Sequence, residues 1–121
     1  MTKPSIYYSQ GYNCAEAIIK SYNEEFNVSI PVALGSGMGT GAAVGSLCGA
    51  VNAAVLVAGF IKGREDSSAP NEARKLSKEI MKRVRDQYDS EICANLKKNK
   101  VSCSEIIDFS YNALKEVLAN A

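Results

Sequence analysis

"GSGMGTGAAVGSLCGAVNAAVLVAGF", residues 35–60, is glycine-rich, free of charge, and holds one cysteine, Cys48, near its middle. Three kinds of structure share that composition: a phosphate-cradling loop, a membrane span, and the wall of a thiol site. The choice among them decides the fold.

Gly37, Gly39 and Ala42 satisfy the dinucleotide pattern G-x-G-x-x-A. That pattern works only between two parallel strands, with an acidic residue closing the second. Here "KGREDSSAPNEARKL" follows, a polar loop and then a charged helix, and the Walker lysine is missing. No nucleotide is expected. The membrane reading rests on the absence of charge from Phe26 to Ile61. Gly, Ala and Ser contribute little transfer free energy, and the apolar remainder, "LCGAVNAAVLVAGFI", falls short of the roughly 20 residues a span needs. Asn52 sits inside it. A helix apolar on all sides and too short to cross is the central core helix of a bundle, so no stable membrane insertion is expected. Ser46 is its expected N-cap, which puts Cys48 in the first turn. Gly45, Gly49, Ala50, Ala53, Ala54 and Ala58 let neighbouring helices come close, and the glycine run before them can fold over a site at the helix start.

Helical periodicity extends outward from this element. In "NCAEAIIKSYNEEF" (13–26), Cys14, Ile18 and Tyr22 recur every fourth residue, flanked by Ala15, Ile19 and Phe26. Asn13 is the N-cap and Glu16 its capping-box partner. Pro31 and Gly35 break the pattern, with room for a short turn of helix after Pro31. "PNEARKLSKEIMKRVRDQY" (70–88) aligns Ala73, Leu76, Ile80, Val84 and Tyr88 on one face. Its cations, Arg74, Lys78, Lys82 and Arg85, alternate with Glu72, Glu79 and Asp86, the pattern of a solvated surface rather than a nucleic-acid patch. "DSEICANLKKNKVSC" (89–103) reads as a helical turn and a lysine-rich loop. A last helix spans about 104–118, with Ile107, Tyr111, Leu114 and Val117 or Leu118 inward. The expected fold is all-α, a compact single domain over 1–121 with four to five helices around a Gly/Ala-rich centre.

Composition narrows the chemistry. The chain has 121 residues, 46% hydrophobic and 22% charged, with a net charge of +1, which offers no electrostatic case for nucleic acid. "MTKPSIYYSQ" has no apolar run of the signal-peptide kind, so the expected compartment is the cytoplasm. Histidine is absent, which excludes histidine triads, imidazole zinc ligands and histidine-ligated haem. In a reducing compartment four cysteines read as metal ligands or redox groups.

The four cysteines share a context. Cys14 follows Asn13, Cys48 follows Ser46, Cys93 follows Ser90 and Cys103 follows Ser102. Each is therefore expected in the first turn of a helix, where unpaired amides and the positive dipole end favour a thiolate. Cys14 and Cys103 share faces with Ile18 and Ile107, so the thiols can converge on one partly buried pocket. Against this stands the ordinary tendency of free cysteine to be buried. No C-x-x-C is present, which argues against thioredoxin-type, treble-clef and ferredoxin-type motifs. A four-thiolate site drawn from distant segments remains open.

These residues resemble the C_GCAxxG_C_C family, described as redox-active proteins. "GYNCAEAI" (11–18) matches its first cysteine motif. "GMG" (37–39), "CGAV" (48–51) and "GFIKG" (59–63) match its central block, and Cys93 and Cys103 its last two cysteines. Ala53 stands where the family pattern has glycine. The family is similar to the amino-terminal part of split-Soret cytochromes, where an iron–sulfur cluster is suspected. Without C-x-x-C-H, no haem is expected here.

The resemblance implies a redox protein, an oxidoreductase or electron carrier, built on Cys14, Cys48, Cys93 and Cys103, with Gly37, Gly39 and Gly49 beside the site. The cysteines either ligate an iron–sulfur cluster or cycle between dithiol and disulfide. In the exchange version Cys14 or Cys48 attacks, and Cys93 and Cys103 resolve. A structural four-thiolate zinc site, or a helical interaction module with inert cysteines, is the alternative. A redox partner protein is expected. Tyr7, Tyr8 and Tyr12 are expected to anchor the amino-terminal segment to the core, with a homodimer interface as their other use.

Overall fold

The computed structural model describes residues 2–121. Among them are six α-helices and no strand: α1 (Pro4–Ser9), α2 (Cys14–Phe26), α3 (Gly49–Lys62), α4 (Glu72–Tyr88), α5 (Cys93–Lys98) and α6 (Cys103–Ala119). The all-α expectation holds. The frame that a dinucleotide pattern needs is absent from these residues. The sequence reading missed α1, whose Pro4 fixes the helical φ at its first position. No helix among the described residues is long and apolar enough to cross a membrane.

Start signals explain the helix boundaries. The Asn13 side chain accepts from the Glu16 amide (2.8 Å), and the Glu16 carboxylate accepts from the Asn13 amide (2.9 Å), completing the capping box. Ser102 caps α6 by accepting from the Glu105 amide, and Asn71 caps α4 through the Arg74 amide. Asn27 and Asp89 end α2 and α4 in left-handed conformations.

α3 is the hub, packed on α2, α4 and α6. Its Ala50, Val51, Ala53, Ala54, Val57 and Ala58 are fully enclosed. Small side chains keep the axes close, so bulk comes from the partners: Ile18 and Ile19 of α2, Ile80 and Val84 of α4, Ile107 and Leu114 of α6. α1 lies over α2 and α6. The Tyr7 hydroxyl donates to Glu24 (2.5 Å), its ring meets Tyr12 edge-on, and the Ser5 amide donates to Asp108. The amino-terminal tyrosine Tyr7 thus anchors α1 to α2.

Ala54 is fully buried in this hub. Leucine there inserts three carbons into close-packed space and is expected to cost about 1–3 kcal/mol. A urea titration of A54L checks this through a lower midpoint at unchanged slope.

Candidate functional site

Four helix starts meet at one end of the bundle, and each delivers a cysteine. Cys14, Cys93 and Cys103 occupy the first position of α2, α5 and α6. Cys48 departs from expectation: it is itself the N-cap of α3, and Ser46 lies before the helix in a non-helical conformation. Ser90 also is not the N-cap of α5; that residue is Ile92, whose amide donates to the Ser90 hydroxyl.

Two backbone devices set the geometry. A single antiparallel bridge joins Leu47 to Ile92. Beside it the Cys48 amide donates to the Glu91 carbonyl (2.9 Å) and the Cys93 amide to the Ser46 carbonyl (2.7 Å). Residues 46–48 and 91–93 are thereby stitched together, which fixes Cys48 against Cys93. On the other side, the Asn13 amide group donates to the carbonyls of Gly35 and Ser36 (both 3.1 Å), and Ser36 donates to Glu16. The cap of α2 therefore also clamps the glycine run that precedes α3.

That run is strained. Thr40, Gly41, Ala42, Ala43 and Gly45 all have positive φ, between 53° and 75°. For the three non-glycine residues this costs roughly 1–2 kcal/mol each. Only glycine serves at 41, because a Cβ would approach the Ser46 carbonyl to 2.6 Å and the Cys93 Cβ to 2.8 Å. The wide turn Gly41–Gly45 that results closes one wall of the site.

All four cysteines line one cavity of about 110 Å³, together with Tyr8, Asn13, Thr40, Leu96, Lys97 and others. Cys48 and Cys93 are buried, Cys14 and Cys103 half-buried, and all four are free thiols. Of the glycines singled out in sequence, Gly39 and Gly49 line the cavity and Gly37 does not. Gly37, expected beside the site, is exposed, and a Cβ on it would meet nothing, so it does not wall the cavity. A Cβ on Gly49 would collide with the Cys14 sulfur and the Met38 carbonyl. Ala53 is in the core, away from the cavity, so its extra methyl does not bear on the site. Sequence reasoning missed Gly41, Thr40, Tyr8 and Lys97. A signal existed for Gly41 alone, as a further glycine in the run.

Burial decides the charge state of the inner thiols. It pushes Cys48 up to about 11, against the opposing pull of the Val51 and Ala50 amides, with Cys14 and Cys93 adding to the rise. Burial likewise raises Cys14, against the amides of Ala15 and Thr40, with Cys103 as a further raising neighbour. The helix-start amides do favour thiolate, as expected, but for these two sulfurs desolvation is larger. Tyr8 is raised first by its hydroxyl's interaction with Cys103.

The donor set is thiol only. Four soft donors suit thiophilic metals and iron–sulfur clusters. A tetrahedral zinc site draws its sulfurs to about 3.8 Å from one another. No three cysteine, aspartate or glutamate side chains among the described residues are arranged to hold a single metal ion.

Residues 12–117 match the family model described as "Putative redox-active protein (C_GCAxxG_C_C)". The chain belongs to that family. No curated protein and no solved structure matches it.

Two outcomes follow for metal-free protein. Folded Cys48, pushed up to about 11 by burial, keeps its proton above the point near 9.0 where the unfolded thiol releases it. The unfolded state binds fewer protons in that window, so stability falls as pH rises through it, by up to about 3 kcal/mol. Urea midpoints at pH 8 and pH 10.5 measure the decline, and C48A is expected to remove its share. G49A forces Cys14 off the α3 backbone, at a cost of about 1–3 kcal/mol. Faster alkylation of Cys14 at unchanged pH reports the displacement.

Proposed function

We propose that this protein is a small electron carrier in which Cys14, Cys48, Cys93 and Cys103 together hold one iron–sulfur cluster. The observation that carries the reading is the convergence of four thiols, from four separate segments, on one cavity. Bound there, a cluster supplies one-electron transfer at a potential set by charge, hydrogen bonding and exposure.

The remaining contributions come from the chain. The amides of Thr40 and Ala15 act on Cys14, and those of Val51 and Ala50 on Cys48, so both sulfurs have donors that favour negative charge. Leu96, Val101 and Ile106 give the wall an apolar surface that limits water. Gly39 and Gly49 let backbone form the wall at the places where side chains would fill it. A reducing cytoplasmic setting, in which thiols stay available as ligands, suits this reading. Electrons would be exchanged with a redox partner protein.

A second reading draws on the adjacency of the two half-buried thiols, Cys14 and Cys103. Cys14 attacks a partner's disulfide and releases one partner thiol. Cys103 then attacks the Cys14 sulfur and releases the other, leaving a Cys14–Cys103 disulfide and a partner dithiol. The raised Cys14 thiol makes this slow at neutral pH.

Purification without oxygen, followed by iron, sulfide and zinc assays and a visible spectrum, separates the readings. Iron with acid-labile sulfide and visible absorption is expected, lost in each of C14S, C48S, C93S and C103S. A colourless, iron-free protein whose Cys14 and Cys103 oxidise reversibly leaves the exchange reading. Stoichiometric zinc without colour removes both in favour of a structural site.

A further inference from the structure

Beside the cavity lies a surface that neither the fold nor the cysteines require. Lys97 lines the cavity. Lys98 and Lys100 follow it, and all three are exposed. Lys100 takes a left-handed conformation (φ 61°) and its amide donates to the Lys97 carbonyl (3.0 Å), which folds the three cations onto one short arc. None of them has an ion-pair partner among the described residues, whereas Arg83, Arg85 and Lys115 do. No acidic residue lies between Cys93 and Cys103. The nearest acidic residues on either side are engaged, Glu91 by Arg85 and Glu105 by the Tyr88 hydroxyl, while Asp89 farther out is exposed. With a net charge of only +1 over the chain, the arc is a local excess.

An apolar projection stands next to it. The wide turn Gly41–Gly45 packs on α5, and a Cβ on Gly45 would lie 3.4 Å from the Ala94 Cβ. Its tip is Val44, 81% exposed, on backbone that Ala42 and Ala43 hold in a costly left-handed conformation. Val44 contributes nothing to the core.

An apolar centre with a charged rim is the anatomy of a protein interface. Three lysines are fewer than the four to eight that mark an anionic-lipid site, and an apolar tip has no use on a phosphate backbone. We propose that Val44, Lys98 and Lys100, grouped beside Lys97 at the cavity, form the docking surface for an acidic electron-carrier protein. This rests on the redox reading above: the reduced carrier loses one electron, the oxidised site gains it, and no bond forms or breaks. Opposite charge speeds such an encounter, and the exposed valine gives it a desolvated centre.

The test is calorimetric titration of the full chain, with and without its metal, against two acidic probes, a flavodoxin and a [2Fe–2S] ferredoxin. Binding to at least one is expected, weakened about tenfold on going from low salt to about 0.3 M. The double variant Lys98→Glu with Lys100→Glu, and separately Val44→Asp, are each expected to weaken it about tenfold or more, at the parent's iron content and thermal midpoint. Absence of binding to both carriers overturns the proposal, as does binding that both variants leave unchanged. Tighter binding to phosphatidylserine vesicles or duplex DNA than to either carrier overturns it too. A parent that holds iron but docks neither carrier sinks the surface alone. One that docks through these residues yet holds no iron sinks the cluster and leaves the surface standing.

Discussion

The Cys14 sulfur occupies the space where a side chain on residue 49 would have to be. That close approach joins the start of α2 to the start of α3, and the rest of the site is built around it. Because the α2 cap reaches across to Gly35 and Ser36, the glycine run is drawn over the same point. Because residue 48 is stitched to residues 91–93, α5 is drawn in from the other side. α6 completes the ring through Cys103, on a helix held against α3 by Ile107 and Leu114. A cavity between four helix starts is the geometric result.

The same arrangement sets up an electrostatic opposition. Helix starts offer amides, which stabilise a negative sulfur, while the apolar surroundings that hold the helices together penalise it. For Cys14 and Cys48 the penalty is larger. Left alone, these two thiols keep their protons at neutral pH.

Left-handed backbone is concentrated in the segment that forms the wall. The core helices have ordinary caps and small, well-fitted side chains. Thr40, Ala42 and Ala43 sit in left-handed backbone, held there by the Ser46 amide bonded to the Gly41 carbonyl and the Ala42 amide bonded to the Met38 carbonyl. The unfavourable conformation lies beside the cysteines and beneath Val44, where wall and exterior surface are a single piece of chain.

Much of this was legible in one dimension. The fourfold recurrence of apolar residues, the Asn13–Glu16 box and the Ser102 cap are local relations, complete within one turn of helix, so a linear reading recovers them. So is the rule that places cysteines at helix starts, which held for Cys14, Cys93 and Cys103 within a residue. Ser46 misled because its capping role was overridden from a distance: the bridge to residues 91–93 holds 46–48 out of helical backbone and leaves Cys48 as the cap. Gly37 misled because neighbouring glycines look alike in sequence, and only the folded path of the run separates Gly39 and Gly41, which line the cavity, from one that is exposed. The sequence by itself determined the longer helices and put a thiol at the start of four segments. Tertiary structure alone decided that the four share a cavity, which sulfurs are too buried to ionise freely, and that lysines and a valine gather beside them. Those properties depend on distances between residues far apart in the chain, and no local propensity encodes them.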